Sequence, residues 1–164
     1  ITFADTERKT YEKLLDTNVL AVAVCTNLAV RSMRKRDDDG HIFTITSVES
    51  HSIMPIDVGM NVYGATKHAS LALAHTVRLE LAELKSRIRV TTISPSSVKT
   101  NKFDHSKAKG VSFKKTDFQP SDIADAIIYV LGTRPEVQIT QLIIQPTGES
   151  IRDIYKDILR IARQ

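Results

Sequence analysis

The stretch NVYGATKHASLALAHTVRLELAELKSRIRVTTISP, Asn61 to Pro95, changes its hydrophobic period part-way along. Ala65, Ala69, Leu71, Leu73, Val77, Leu81 and Leu84 recur at helical steps and predict a helix over Asn61–Ser86. Ile88–Ile93 then reads as a strand, ended by Ser94-Pro95. Upstream, Ile42-Phe43-Thr44-Ile45 forms the centre of a second β-branched and aromatic run, His41–Thr46. The turn cluster Asp37-Asp38-Asp39-Gly40 separates that strand from a helical pattern over Thr6–Arg36, with a break near Asp16. Leu14, Leu15, Val19, Val22, Ala23, Leu28 and Met33 carry its period, and Arg34, Lys35 and Arg36 sit where the helix dipole favours cations.

Downstream, Ser96–Phe118 is a long polar connection rich in lysine, of the kind that forms a lid. Ser121 or Asp122 starts a further helix, with Ile123, Ala126, Ile127, Val130 and Leu131 on one face and Gly132 and Pro135 at its end. Val137–Ile144 reads as a third strand and Ile151–Arg163 as a last helix. Helices and strands alternate, and strands joined through helices must run parallel. The expected class is α/β, a Rossmann-type parallel sheet with flanking helices. Three strands make a thin sheet for that class.

Composition narrows the function. The 164 residues are 41% hydrophobic and 26% charged, as in ordinary globular chains. The net charge of +4 is mild, and no basic stripe interleaves with aromatics, so no nucleic-acid partner is expected. The apolar run Val19–Thr26 is far shorter than the ~20 residues of a membrane span, so none is expected. No charged-then-apolar leader opens the chain, and a cytoplasmic location is the expectation. Cys25 is the single cysteine, which excludes an internal disulfide and a cysteine-built zinc site. The five histidines show no metal-ligand spacing, so no metal is expected.

Tyr63 and Lys67 stand four residues apart on one helix face. An ammonium in reach stabilises a phenolate and lets a tyrosine exchange a proton near neutral pH. Spacing alone is also met by a solvent-facing pair. Position adds to it. Ser47 leaves the carboxyl end of one strand and Ser94–Thr100 leave the same end of the next, where open parallel sheets bind ligands. Asn18 lies within a helix, where asparagine is a poor former.

With these residues in place the sequence resembles the short-chain dehydrogenases/reductases. Tyr63-Gly64-Ala65-Thr66-Lys67 matches their Tyr-x-x-x-Lys signature, and Thr17-Asn18-Val19-Leu20 their helix asparagine. Ile45-Thr46-Ser47 matches their strand-end serine. Pro95-Ser96-Ser97-Val98-Lys99-Thr100 matches their Pro-Gly-x-Val-x-Thr segment. Asp39-Gly40-His41-Ile42 and Ile127-Ile128-Tyr129-Val130-Leu131 are similar to the branch of farnesol dehydrogenase-like and member-eleven dehydrogenase/reductase proteins. The resemblance covers about Asp16–Thr147.

The resemblance implies hydride transfer between NADP, or else NAD, and the carbonyl or secondary alcohol of an apolar small-molecule substrate. It implies that Tyr63 is the general acid and base, assisted by Lys67, with Ser47 on the substrate oxygen and Asn18 holding a relay water. It places Asn18, Tyr63, Lys67, Pro95, Val98 and Thr100 around the nicotinamide end of the cofactor.

Three departures stand beside it. The family's Gly-x-x-x-Gly-x-Gly loop has no counterpart, since the glycines are 40, 59, 64, 110, 132 and 148. The expectation is therefore the C-terminal part of such a Rossmann domain over residues 1–147, with a helical tail over 148–164. Such a chain reads either as an enzyme or as an inactive remnant acting through subunit association. Ser96 replaces a glycine that tolerates positive φ. The family's usual serine-to-tyrosine gap selects Ser50, whereas the strand-end match selects Ser47.

Cys25 is expected to fill core on an apolar helix face. In the tail, Ile151, Ile154, Ile158 and Ile161 form a narrow apolar seam. It packs either on this chain's own sheet or against another copy, and a homo-oligomer is the expectation.

Overall fold

The computed structural model describes residues 3–37, 39–53, 62–100 and 118–148. Its elements in order are α1 (Arg8–Leu15), a π-turn (Asp16–Leu20), α2 (Ala21–Arg36), β1 (His41–Ile45) and a 3-10 turn (Val48–Ser50). Then come α3 (Tyr63–Glu83), β2 (Arg89–Pro95), α4 (Pro120–Leu131) and β3 (Gln141–Ile144). The strands form one parallel sheet in the order β1-β2-β3, with Ile42 beside Val90 and Ile93 beside Leu142. The expected tail helix, and Asn101 to Asp117 of the expected lid, lie outside the described residues.

One helix runs through α1, the π-turn and α2. The break expected near Asp16 is the π-turn, which adds a residue to one turn and re-aims the side chains within it. Asp37 closes α2 in the left-handed region at φ 53°, its N–H donating to the Arg34 carbonyl. Gly40 leaves room for the Met33 side chain, which a Cβ there would push aside.

One face of the sheet carries Ile42 and Val90. They pack with Ala74, Leu81 and Ile88, and with Ala29, Val30, Met33 and Val77 of the two long helices. Alternation sends Arg89, Thr91 and Ile93 to the other face. There the Arg89 guanidinium donates to the Thr133 hydroxyl at 2.8 Å and to the Leu131 carbonyl at 3.5 Å, capping α4 where its carbonyls lack helical partners. Gln119 and Asp122 form a reciprocal cap at the other end of α4.

Two expectations change. The third strand is shorter than Val137–Ile144, because Gln138 turns its side chain to the sheet. Its amide accepts from Val90 N–H at 3.1 Å and donates to the Val90 carbonyl at 2.9 Å, replacing main-chain pairing. Cys25 is exposed, because α2 turns Thr26 to the interior and leaves Val24, Cys25 and Leu28 outside.

By length and composition Arg8–Arg36 could cross a membrane, with a mean hydropathy of 1.3 in its most apolar window. Its inward face rests instead on β1 and α3.

His41 at the start of β1 stacks on Phe43 at 4.1 Å and bonds Thr91 Oγ1 at 2.7 Å. Burial, with Arg89 nearby, pushes its pKa down to about 4. An unfolded histidine binds its proton near 6.5, so stability is full above that pH and is lost as pH falls toward 4. Denaturant midpoints of the chain should therefore drop on acidification across this window, and His41→Gln should flatten the drop. Equal acid slopes in parent and variant would remove His41 as its cause.

Candidate active site

β1 and β2 run parallel and deliver their carboxyl ends to one rim. Thr46 N–H donates to the Ile93 carbonyl, and the Thr46 and Ser94 hydroxyls bond at 2.7 Å. His51 bonds the Ser94 hydroxyl at 2.9 Å, and burial lowers its pKa. Buried hydroxyls along these strands thus have partners, as burial demands.

Ser47 follows directly and caps the 3-10 turn, its Oγ accepting from Glu49 N–H at 3.2 Å. Tyr63 is the first residue of α3, and its hydroxyl pairs with that of Ser47. Burial raises the Tyr63 pKa, the Glu49 charge raises it further, and the Ser47 hydrogen bond opposes both. Lys67 Nζ lies 5.7 Å from the centre of the Tyr63 ring and donates to the Ile45 carbonyl at 3.3 Å. A cation there favours ionised tyrosine electrostatically.

The two candidate serines meet different partners. Ser47 meets Tyr63. Ser50 Oγ accepts from Ser47 N–H at 3.3 Å and donates to the Lys67 carbonyl at 3.0 Å, tying the turn to α3.

Asn18 sits in the π-turn and faces α3. Its side-chain amide donates to Thr66 Oγ1 at 2.9 Å, and its main-chain carbonyl accepts from Ser70 Oγ at 2.5 Å. Thr66 Oγ1 donates in turn to the Tyr63 carbonyl at 2.7 Å. Asn18 is thus clasped to the helix turn that carries both Tyr63 and Lys67. Thr66 and Ser70 are each 1% exposed and went unread in the sequence. Their signal was two small hydroxyl residues four apart on the face of α3 that meets Asn18.

Pro95 ends β2, and Ser96 N–H donates to the Ile144 carbonyl at 2.9 Å. The only non-glycine residues with positive φ among those described are Asp37 and Lys85, so Ser96 carries no strain. Val98 bridges Phe118, and Lys99 N–H donates to the Phe118 carbonyl at 2.9 Å. That pairing joins the described ends of the long connection. Thr100 is exposed at the same rim.

Two hydroxyls and an ammonium thus meet at the carboxyl edge of a parallel sheet, on a helix fed by the strand that bears one of them. The sequence model described as short chain dehydrogenase matches residues 1–110. The chain belongs to the short-chain dehydrogenase family.

Within this family, the farnesol dehydrogenase of Aedes aegypti is 42% identical over 137 residues, covering 84% of this chain and 54% of the relative. Dehydrogenase/reductase SDR family member 11 of Homo sapiens is 38% identical over 146 residues, covering 85% and 56%. The chain spans about half the length of these curated relatives. Among solved structures, the closed form of a serine dehydrogenase complexed with NADP+ superposes with a TM-score of 0.80 at 27% identity, covering 91% of this chain and 60% of that one. A 4-hydroxyisoleucine dehydrogenase complexed with NADH, at 23% identity and TM-score 0.71, shares the fold, with 90% of this chain and 64% of that one covered.

Proposed function

We propose that this chain provides the proton-transfer site of a cytoplasmic oxidoreductase that acts on the carbonyl or secondary alcohol of an apolar small molecule. The observation that carries this reading is the Ser47–Tyr63 hydroxyl pair with Lys67 over the Tyr63 ring. Tyr63 gives its proton to the carbonyl oxygen in reduction and takes one from the alcohol in oxidation. Ser47 hydrogen-bonds the same oxygen and holds it beside Tyr63. Lys67 stabilises the phenolate and binds the nicotinamide ribose. Asn18 clasps the turn bearing Tyr63 and Lys67 and holds the relay water.

NADP is proposed ahead of NAD; when bound, the dinucleotide supplies the hydride. The rim fits its nicotinamide end. An ammonium beside a phenol hydroxyl suits a ribose diol, and Pro95, Val98 and Thr100 lie on the strand exit beside it. A solved relative at 27% identity holds NADP+, which supports the choice. The test is reduction of apolar ketones and aldehydes by a version of the chain carrying the family's dinucleotide loop. Turnover with neither NADPH nor NADH would overturn the reading.

A second reading is an inactive relative acting through subunit association. In either reading copies of the chain pair through the π-turn and α2. Leu20, Val24 and Leu28 stand four apart and are 57%, 49% and 57% exposed, an apolar stripe that invites a partner. Sedimentation should show a dimer or larger species, and Val24→Glu should shift it to monomer. A parent that sediments as a monomer would contradict the pairing.

A further inference from the structure

The residues of the π-turn do not account for it. Asp16-Thr17-Asn18-Val19-Leu20 holds no proline or glycine that would disturb an α-helix. Packing on its N-terminal side does not impose it either, since α1 buries none of its residues. On the other side α2 is fixed, with Ala29, Val30 and Met33 against the core. Shedding the extra residue would turn everything before α2 by about 100° around the helix axis, one residue's step. A π-turn is far rarer than a regular turn. A contact from outside the helix must hold this one.

Ser70 supplies that contact. It is 1% exposed and lies one turn beyond Thr66 on α3. Its hydroxyl has one proton and two carbonyls in reach, that of Asn18 at 2.5 Å and that of Thr66 at 2.9 Å. A helical serine ordinarily bonds the carbonyl four residues back. Here the nearer acceptor stands 52 positions away in the chain. Thr66 Oγ1 meets only the Asn18 side chain, which a turning backbone would carry off. The Ser70 bond is made to the Asn18 main chain and so fixes the backbone itself.

We propose that Ser70 is a positioning residue: its hydroxyl pins the main chain of the π-turn and thereby keeps the Asn18 side chain against the turn of α3 that carries Tyr63 and Lys67. The consequence for turnover rests on the proposed function, in which those three residues hold and move the proton. In Ser70→Ala the pin is gone, and a site this closed admits no water to replace it. The π-turn then relaxes to regular helix and Asn18 swings off Thr66.

The first test needs no cofactor. In the 164-residue chain, labelled with nitrogen-15 and carbon-13, the Asn18 side-chain amide protons should show a nuclear Overhauser contact to the Thr66 methyl group, which shares its carbon with the hydroxyl that accepts from that amide. Ser70→Ala should lose this contact while staying folded. A contact retained in Ser70→Ala would overturn the inference, and so would its absence from the folded parent. In a version carrying the family's dinucleotide loop, Ser70→Ala should lower kcat about 10–100-fold, the scale of a slight misplacement, with KM for the ketone nearly unchanged. Added to Asn18→Ala, it should cost nothing further, because its effect runs through Asn18. An undiminished kcat in Ser70→Ala, or a full additional loss in the double variant, would overturn the inference. A parent version without carbonyl turnover would instead overturn the proposed function and leave the Asn18–Thr66 contact standing.

Discussion

Tyr63→Phe, made in a version of the chain carrying the family's dinucleotide loop, is expected to lower carbonyl reduction by about 10²–10⁴-fold with the fold unchanged. The substitution removes one oxygen. The ring stays under Lys67, and the Thr66 bond to residue 63 is made to a main-chain carbonyl that phenylalanine also has. What goes is the proton donor and the partner of the Ser47 hydroxyl. Steady-state rates with ketones and NADPH, alongside circular dichroism of both proteins, check both halves of the expectation. Rates within a few-fold of the parent would remove Tyr63 from the chemistry.

The second large effect concerns the chain by itself. Its rim offers groups for the nicotinamide ribose and carboxamide. A dinucleotide's pyrophosphate is ordinarily held by bare backbone N–H groups at a helix N-terminus, reached through closely spaced glycines. No such spacing occurs among Gly40, Gly59, Gly64, Gly110, Gly132 and Gly148. Calorimetry should therefore find NADP and NAD bound more weakly than about 1 mM, which is ~4 kcal/mol short of micromolar affinity. A micromolar constant for either would show that this chain grips the phosphates by another route.

Much of the frame was legible from residue order. The Asp37–Gly40 turn, the β-branched runs and the helix start at Ser121 or Asp122 placed α2, β1, β2 and α4 within a few residues. Helical connections required parallel pairing, and the sheet has it. The break near Asp16 was visible as a disturbance of period, but its form was not. A π-turn keeps the helix continuous and rotates only one turn, so apolar spacing on either side barely changes.

β3 was read too long because Val137–Thr140 has strand composition, while a side-chain amide, which period cannot reveal, takes over the pairing to Val90. Cys25 was placed inside because neighbouring Val22, Ala23 and Leu28 spread apolar character around α2. Only packing decides that Thr26 points in and Cys25 out.

At the site, Tyr63, Lys67, Ser47 and Asn18 announced themselves by type and offset. The contacts that hold them did not. Thr66, Ser70 and Ser50 are common helix and turn residues, and their importance lies in meeting partners up to 52 positions away. Glu49 carries no sign of its burial in the sequence, since carboxylates are rarely buried. Its burial follows from the Ser47 cap, which folds the turn inward against Gly64.

The most direct measurement is deuterium transfer from NADPH labelled at the nicotinamide C4 to an apolar ketone, followed by mass spectrometry, with the cofactor-competent version of this chain. The account predicts one deuterium on the carbinol carbon of the alcohol formed by the parent, and at least a hundredfold less labelled product from Tyr63→Phe in the same time. Equal labelling by both proteins, or no labelled alcohol from the parent with either NADPH or NADH, would contradict it.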